Sequence, residues 1–368
     1  MDFANESNNF SKSPAADEFE ISIFGPGIGE CILMHLGNGE WFVIDSCRLP
    51  GSKSPAALEY LEALGIEPAS AIKRILATHW HDDHVKGMSE IVRRCPGALF
   101  AMSAALESDQ FNQLVFEIEE HNKLVAATST ASEFAEILEE VERRGKQPPT
   151  AVSDGFLIFE GGFEDLVKVR VLSPSPATVR DAQNNIVNRL QTGFSVRKFK
   201  RFDPNDLSVA VQVSVGARDL LLKADLEDTV EPEFGWKAVL TSELRPRRQS
   251  SIVKIGHHGS DNADNIDVWQ EMISPGPKGV VTPYTRLKEP LPTNGDINRI
   301  KSRTDQLFCT TWPHSTRPPR RQGVDGLMAG ATRTRRALNH NPGFVRLRCS
   351  FTDSVAPKVE LFGSAREL

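Results

Sequence analysis

The chain has 368 residues, of which 39% are hydrophobic and 25% charged, and its formal net charge is −6. These values are typical of a globular protein with one large domain or two ordinary ones. No apolar run approaches the roughly 18 residues that cross a bilayer, and the polar, acidic N-terminus lacks the pattern of a secretory signal. We therefore expect a cytoplasmic protein with no membrane association, and a disordered N-terminal tail at residues 1–18.

The apolar runs and the turn signals between them predict a mixed α/β chain. The predicted elements, in chain order, are strands at 18–24, 30–36 and 40–45, a helix at 55–65, a strand at 72–77, two Glu-rich helices between 104 and 145, strands at 156–159 and 167–172, a helix at 176–191, a hairpin of strands 207–215 and 219–224, and strands at 251–255, 279–282, 306–310, 344–349 and 358–362. The last two strands are expected to pair. Two groups of strands with interspersed helices predict a layered architecture, which a four-layer αββα sandwich satisfies.

The segment Thr78-His-Trp-His-Asp-Asp-His84 places three histidines and two aspartates directly after an apolar strand. Imidazole and carboxylate groups bind zinc, and also iron or manganese. In an extended segment, His79 and His81 point to the same side and can reach one ion. Asp83 and His84 follow as the chain turns into a helix, where they can face a second ion.

Two later apolar strands also end in groups that bind metals. One is Leu220-Leu-Leu-Lys-Ala-Asp225, and the other is Ser251-Ile-Val-Lys-Ile-Gly-His-His-Gly-Ser260. An aspartate at a strand end is by itself more typical of a turn or a cap. After the first cluster, both strand ends indicate further ligands of the same metal site.

These motifs resemble the metallo-β-lactamase superfamily, in the branch similar to the hydrolase domain of the DNA-uptake protein ComEC. In that branch the strand before the aspartate reads like LLTGD, and the next motif reads like LKVxHHGS. They are matched here by the segments that end at Asp225 and Ser260. An NxxS motif is matched at Asn205–Ser208, and the preceding LxP at Leu172–Pro174. The resemblance covers roughly residues 19–310, and more loosely the C-terminal strands.

The resemblance implies a four-layer αββα metallo-β-lactamase sandwich at 19–368, with a helical insertion at about 104–150 and an Arg-rich loop at about 313–340. It implies two divalent ions, zinc or manganese. One ion would be held by His79 and His81, the other by Asp83 and His84, with Asp225 as the bridge. His258 would complete the second site and His257 would assist catalysis, although the order of these two histidines stays open. Residues that support the ligands from outside the metal shell would be Asp45, Asn205 and Ser208.

Two features depart from the family pattern. Many members have a further histidine ligand between the first motif and the bridging aspartate, and the only candidate here is His121, in a Glu-rich stretch that favours a surface helix. The residue before the bridging aspartate is Ala224, where relatives commonly have glycine. We expect alanine there only if its φ is negative.

The resemblance implies metal-assisted hydrolysis, with water activated as a hydroxide between the ions. Asp83 would orient this nucleophile, and His257 would assist the leaving group. A phosphodiester of DNA or RNA is the predicted substrate. The first 166 residues are net acidic, whereas the remainder is net basic. The basic part indicates either a polyanionic partner or a surface that is charged only because it is exposed to solvent. The predicted phosphate contacts are Arg197, Lys198, Lys200, Arg201, Arg320, Arg321, Arg335 and Arg336.

Two other functions stay open from the sequence. The same metal site would serve a small-molecule phosphodiesterase that hydrolyses a cyclic nucleotide or a phosphocholine-type ester, and a narrow pocket would favour it. A non-catalytic scaffold subunit is the third possibility, but the intact ligand set argues against it. A protein partner is possible, and the residues do not decide whether one is required.

Overall fold

The computed structural model describes residues 12–107, 109–113, 115–116, 130–145, 148–192, 203–312, 343–353 and 355–368. Within these ranges the strands form two sheets of eight strands each. The first sheet, in spatial order, consists of β15 (Lys358–Phe362), β14 (Phe344–Ser350), β1 (Glu18–Phe24), β2 (Cys31–His35), β3 (Trp41–Ile44), β4 (Ile72–Ala77), β5 (Leu99–Ser103) and β6 (Thr150–Val152). The second consists of β16 (Arg366–Glu367), β13 (Gln306–Cys309), β12 (Ile273–Val281), β11 (Ser250–Lys254), β10 (Arg218–Leu222), β9 (Val211–Val215), β8 (Val167–Val171) and β7 (Leu157–Gly161).

Helices follow or precede many of these strands. They are α1 (Ala56–Ala63), α2 (Pro68–Ala71), α3 (Asp82–Val85), α4 (Met88–Arg94), α5 (Thr130–Arg144), α6 (Pro176–Thr192), α7 (Gly235–Thr241), α8 (Ile266–Glu271) and α9 (Asn294–Lys301). Single 3-10 turns occupy Ala104–Leu106, Phe163–Asp165, Pro204–Leu207, His257–Gly259 and Asp261–Ala263. Among the described residues, no helix is both long and apolar enough to cross a membrane.

The buried side chains form three apolar layers. Successive residues of a strand point to opposite faces of the sheet. Thus Phe42 contributes to the layer between the two sheets, while Val43 contributes to the layer between the first sheet and its helices. On the second sheet, Val253 packs in a third layer with Trp236 of α7 and other helical side chains. Helix, sheet, sheet and helix therefore follow one another, which confirms the predicted αββα sandwich.

Both sheets contain parallel strands whose carboxyl ends carry the predicted ligands. In the first sheet β3, β4, β5 and β6 run parallel. In the second sheet the parallel strands are β10, β11, β12 and β13. Strand β4 leads into the first motif, and β10 and β11 lead into the later two. This places all three motifs where side chains from both sheets can meet.

Several predicted elements are confirmed. Strands β1, β4 and β15 have the predicted bounds, β9 and β10 form the predicted hairpin, and β14 pairs antiparallel with β15. Strand β9 begins at Val211, later than predicted, because a Pro-led 3-10 turn precedes it. Strand β12 begins at Ile273, although two prolines and a glycine in its first half are typical of a loop. The sequence did not predict α7, α8, α9, β6 or β16.

The structure describes only part of two predicted segments, the N-terminal tail and the helical insertion. Residues 12–17, assigned to the tail, include Ser13, whose Oγ donates to the Leu64 carbonyl at 3.2 Å. The insertion at 104–150 contains α5, which packs on α4 through the bond from Ser89 N to Glu133 Oε1 at 2.8 Å. His121 lies outside the described residues.

Candidate metal centre

Four side chains from three strand ends converge on one point. One ligand atom each from Asp83, His84, Asp225 and His258 lies within 4.8 Å of all the others. His258 Nε2 is 2.9 Å from Asp83 Oδ2, and His84 Nε2 is 3.3 Å from Asp225 Oδ2. Asp225 Oδ2 is also 3.7 Å from His258 Nε2. Asp225 thus lies between the imidazoles of His84 and His258, both of which the resemblance assigns to the second ion.

Two of these groups have buried atoms that no hydrogen bond within the described chain satisfies. His84 Nε2 and Asp225 Oδ1 are both buried without a hydrogen-bond partner, which is costly for polar atoms in a protein interior. A cation at this point would satisfy both atoms. Two imidazoles and two carboxylates also form a donor set suited to zinc or manganese, so the residues fit the divalent ion that the fold implies.

The imidazole of His84 is held from its other side by Asp45. His84 Nδ1 lies 2.7 Å from Asp45 Oδ2. The same carboxylate accepts bonds from the backbone N and the Oγ1 of Thr78, both at 2.8 Å. This arrangement directs His84 Nε2 toward the cluster, and it is typical of the groups that orient metal-binding histidines.

The charges in the cluster shift the pKa values of its members in opposite directions. Burial acts to raise the pKa of Asp225, but the imidazoles of His84 and His258 hold it well below its usual range. Burial acts to lower the pKa of His84, but the surrounding carboxylates raise it well above its usual value. The carboxylates and imidazoles of the cluster therefore favour each other's charged forms, and a bound cation would supply positive charge to the same carboxylates.

His79 and His81 lie directly beside this cluster. His79 Nε2 is 3.2 Å from His81 Nδ1, about the separation of two nitrogens that share one zinc ion at roughly 2.0–2.1 Å each. The His79 ring centroid is 4.2 Å from that of His84. The groups of three or more mutually close ligand atoms among the described residues do not include His79 or His81. The two nitrogens thus have a spacing suited to one ion, and no group of mutually close ligand atoms among the described residues adds a third ligand to them.

His257 is not a member of the four-residue cluster. Its Nδ1 lies 2.9 Å from Asn262 Oδ1 and 3.3 Å from Glu227 Oε1. Its Nε2 lies 3.4 Å from the Asn205 amide nitrogen, and that nitrogen also donates to Glu227 at 3.0 Å. Of the two adjacent histidines, the structure thus brings His258 into the cluster, while His257 faces a separate polar group.

Ser208 is buried, and its carbonyl oxygen accepts a bond from Ser173 Oγ at 2.6 Å. None of its hydrogen bonds joins it to a predicted ligand, whereas Asn205 reaches the site through His257. The eight predicted phosphate contacts, Arg197, Lys198, Lys200, Arg201, Arg320, Arg321, Arg335 and Arg336, lie outside the described residues.

The expectation for Ala224 is wrong. Its φ is +45°, in the left-handed region that favours glycine. A hydrogen bond between two loops of the site explains this φ value, because the Ala224 carbonyl oxygen accepts a bond from His257 N at 3.0 Å. His257 and His258 also have positive φ values. Strained residues of this kind persist only where surrounding contacts hold them, and they cluster at functional sites.

Three residues at the site escaped the sequence interpretation. Glu30 is 1% exposed and lies 2.6 Å from Lys254 Nζ, which is also buried. The ring of Tyr284 lies 5.2 Å from that of His258. A lysine inside the apolar run Val253-Lys-Ile255 was the one available signal, since a charged residue in such a strand needs a buried partner.

Comparison with known proteins supports the fold. Residues 24–178 match the family model described as the metallo-beta-lactamase superfamily, and no curated protein sequence matches. Together with the two-sheet sandwich, this match gives the chain the metallo-β-lactamase superfamily fold. It is a fold of metal-dependent hydrolases, and this chain carries a candidate metal site within it.

Several solved structures match the chain at low sequence identity. The metallo-beta-lactamase SMB-1 bound to 2-mercaptoethanesulfonate is 15% identical over 71% of this chain and 85% of its own, with a TM-score of 0.34. The metallo-beta-lactamase fold protein YhfI from Bacillus subtilis is 11% identical over 65% and 70%, with a TM-score of 0.33. The hydrolase AbOPH is 14% identical over 58% and 72%, with a TM-score of 0.34.

Proposed function

We propose that this protein is a metal-dependent phosphodiester hydrolase that acts on nucleic acid. The observation that carries the proposal is the cluster of Asp83, His84, Asp225 and His258, whose ligand atoms lie within 4.8 Å of one another and two of whose members have buried atoms without a hydrogen-bond partner. Divalent ions bound there, and beside His79 and His81, would lower the pKa of water and neutralise phosphodiester oxygens.

The protein's own groups have distinct roles in this proposal. Asp225 would hold the second ion together with His84 and His258, since its carboxylate lies against both imidazoles. Asp83 orients the attacking water. The oxygens of Asn262 and Glu227 accept the proton of His257 Nδ1, which leaves Nε2 free to accept a proton from the attacking water and to return it to the leaving oxygen.

Nucleic acid is favoured as the substrate by the motifs and the charge distribution. The segments that end at Asp225 and Ser260 resemble those of the ComEC hydrolase domain. The net basic charge of the chain after residue 166 suits a polyanion.

A small-molecule phosphodiester is the second candidate, and one observation favours it. Partial burial and the nearby carboxylates Asp203 and Glu227 raise the pKa of Asp206 to about 6. Glu227 also contacts His257, so acidic side chains line part of the site. Negative charge next to the site repels a long polyanion more strongly than it repels a compact ester with a cationic group.

The test is a hydrolysis assay with Zn²⁺, Mn²⁺ and Mg²⁺ in parallel. The substrates are single- and double-stranded DNA, RNA, and the generic ester bis(p-nitrophenyl) phosphate, and Asp225→Asn serves as the inactive control. Metal-dependent cleavage of nucleic acid that is absent from the control supports the nuclease. Cleavage of the generic ester alone favours the small-molecule enzyme, and no hydrolysis of any phosphodiester with any ion rejects both.

A further inference from the structure

Glu30 is a buried carboxylate that neither the metal cluster nor the proposed chemistry uses. It precedes β2 in the first sheet and is 1% exposed. An ionised carboxylate in a protein interior is costly unless charged and hydrogen-bonding partners compensate it. Its side-chain partners both come from the second sheet, and both contact the same oxygen. Lys254 Nζ lies 2.6 Å from Glu30 Oε2, and Thr282 Oγ1 donates to it at 2.5 Å.

Each end of this contact leads to a candidate ligand. On one side, Glu30 N donates to the carbonyl oxygen of Asp83 at 2.9 Å. On the other side, the carbonyl oxygen of Thr282 accepts from His258 Nδ1 at 2.9 Å. Asp83 and His258 then meet at the cluster, with 2.9 Å between Asp83 Oδ2 and His258 Nε2. The contacts form a closed ring that joins the two sheets at the metal site.

We propose that Glu30 is a positioning residue that sets the distance between Asp83 and His258. It acts through the Asp83 backbone on one sheet, and through Lys254 and Thr282 on the other. A second group of mutually close ligand atoms joins Glu30 to Asp45 and His84. Lys254 and Thr282 engage Glu30 Oε2, and Asp45 already engages His84 Nδ1 at 2.7 Å, so we assign Glu30 a supporting role and not that of a ligand. The inference rests on the metal site of the proposed function, but not on the identity of the substrate.

If this ring of contacts positions Asp83 and His258, breaking it should lower the affinity of the site for metal. Groups that hold ligands from outside the metal shell typically change metal affinity by about 10- to 100-fold when they are replaced. Glu30→Gln keeps the shape of the side chain but leaves the Lys254 ammonium without its counter-charge. We therefore expect Zn²⁺ affinity to fall by about 10- to 100-fold in this variant.

A second buried carboxylate provides a matched control. Glu20 in β1 is fully buried and is paired with Arg348 at 2.6 Å. It also accepts a bond from the Tyr60 hydroxyl at 2.7 Å, and none of these partners is a candidate ligand. Glu20→Gln therefore breaks a comparable buried ion pair at a place that the ring does not include.

The experiment titrates Zn²⁺ into each full-length protein in competition with a chromophoric chelator, and records the thermal midpoint of the metal-free form. Both variants are expected to unfold at a lower temperature than the wild type, and only Glu30→Gln should lose affinity. Equal affinity of Glu30→Gln and wild type would overturn the inference. So would an equal loss in Glu20→Gln, since that would reflect general destabilisation.

A double variant keeps the test valid if Glu30→Gln does not fold. Glu30→Met with Lys254→Met replaces the buried ion pair by apolar side chains, a change that is often neutral or stabilising. It should fold and still bind Zn²⁺ weakly, because the tie to Thr282 is lost, whereas wild-type affinity would contradict the inference. Wild-type protein that binds Zn²⁺ but hydrolyses no phosphodiester rejects the proposed function alone. Wild-type protein that binds no metal rejects both.

Discussion

His258 Nδ1 lies 2.9 Å from the carbonyl oxygen of Thr282, so this nitrogen donates its proton there and Nε2 faces Asp83. His257, one residue earlier, has no such contact and turns toward Asn205, Glu227 and Asn262. Backbone geometry thus separates two chemically identical side chains. One joins the candidate metal cluster and the other lies next to it.

The first prediction separates the roles of these two histidines. His258→Ala should lose most of its bound metal. His257→Ala should retain wild-type metal affinity while hydrolysis falls by roughly 10²- to 10⁴-fold, the usual contribution of a general acid or base. Metal titration and turnover are measured on both proteins. Loss of metal in His257→Ala, with retention in His258→Ala, would reverse the assignment.

The second prediction concerns the carboxylate between the imidazoles. Asp225 is 2% exposed, and its carboxylate lies against His84 and His258. Asp225→Asn removes the negative charge of this carboxylate. Hydrolysis should fall by more than about 100-fold, since metal sites contribute several kcal/mol to the transition state. Circular dichroism should show an unchanged fold, because core packing does not use this group.

Asp219→Asn is the matched control for that variant. Asp219 is equally buried and lies near the start of β10, the strand that leads to Asp225, but its partner is Arg248 at 2.7 Å. It should reduce stability without abolishing turnover. An Asp225→Asn protein that retains chelator-sensitive activity comparable to that of this control would exclude the bridging role.

The sequence could predict that the candidate ligands lie close together because each stands where an apolar strand ends, and the ends of parallel strands lie at one edge of a sheet. It could not predict Glu30, whose side-chain partners lie 224 and 252 positions away in the chain. Such a contact has no local signature. The choice between His257 and His258, and the positive φ of Ala224, likewise depend on how two distant loops bond to each other.

The third prediction concerns pH and a histidine remote from the candidate ligands. His35 Nδ1 lies 2.7 Å from the Glu18 carbonyl oxygen, and Nε2 accepts from Gly39 N at 3.1 Å, so the folded state needs the neutral ring. Burial lowers the pKa of His35 below its usual value. The unfolded chain therefore takes up the proton first as pH falls. The stability that His35 supplies is complete above about pH 6.5 and is lost as pH falls through the folded pKa.

Urea denaturation of wild type and His35→Gln between pH 8 and pH 5 measures this effect. The variant should be less stable at pH 8, and the two curves should converge on acidification. Their difference should change by at most about 1.4 kcal/mol per pH unit. Parallel curves over the whole range would show that His35 does not titrate differently in the two states.

The last prediction addresses the substrate through the arginines of the segment 317–336, which lies outside the described residues. Arginine suits phosphate because its planar guanidinium group can donate to two oxygens at once. If the segment holds a polyanionic strand, replacing Arg320, Arg321, Arg335 and Arg336 together with alanine should weaken nucleic-acid binding. The dependence of binding on salt should also flatten, because fewer counterions are released. Turnover of bis(p-nitrophenyl) phosphate should stay almost unchanged, since the metal ligands are intact. Equal loss on both substrates would indicate damage to the fold. No loss on either would mean that these arginines do not recognise nucleic acid, and would favour the small-molecule phosphodiesterase.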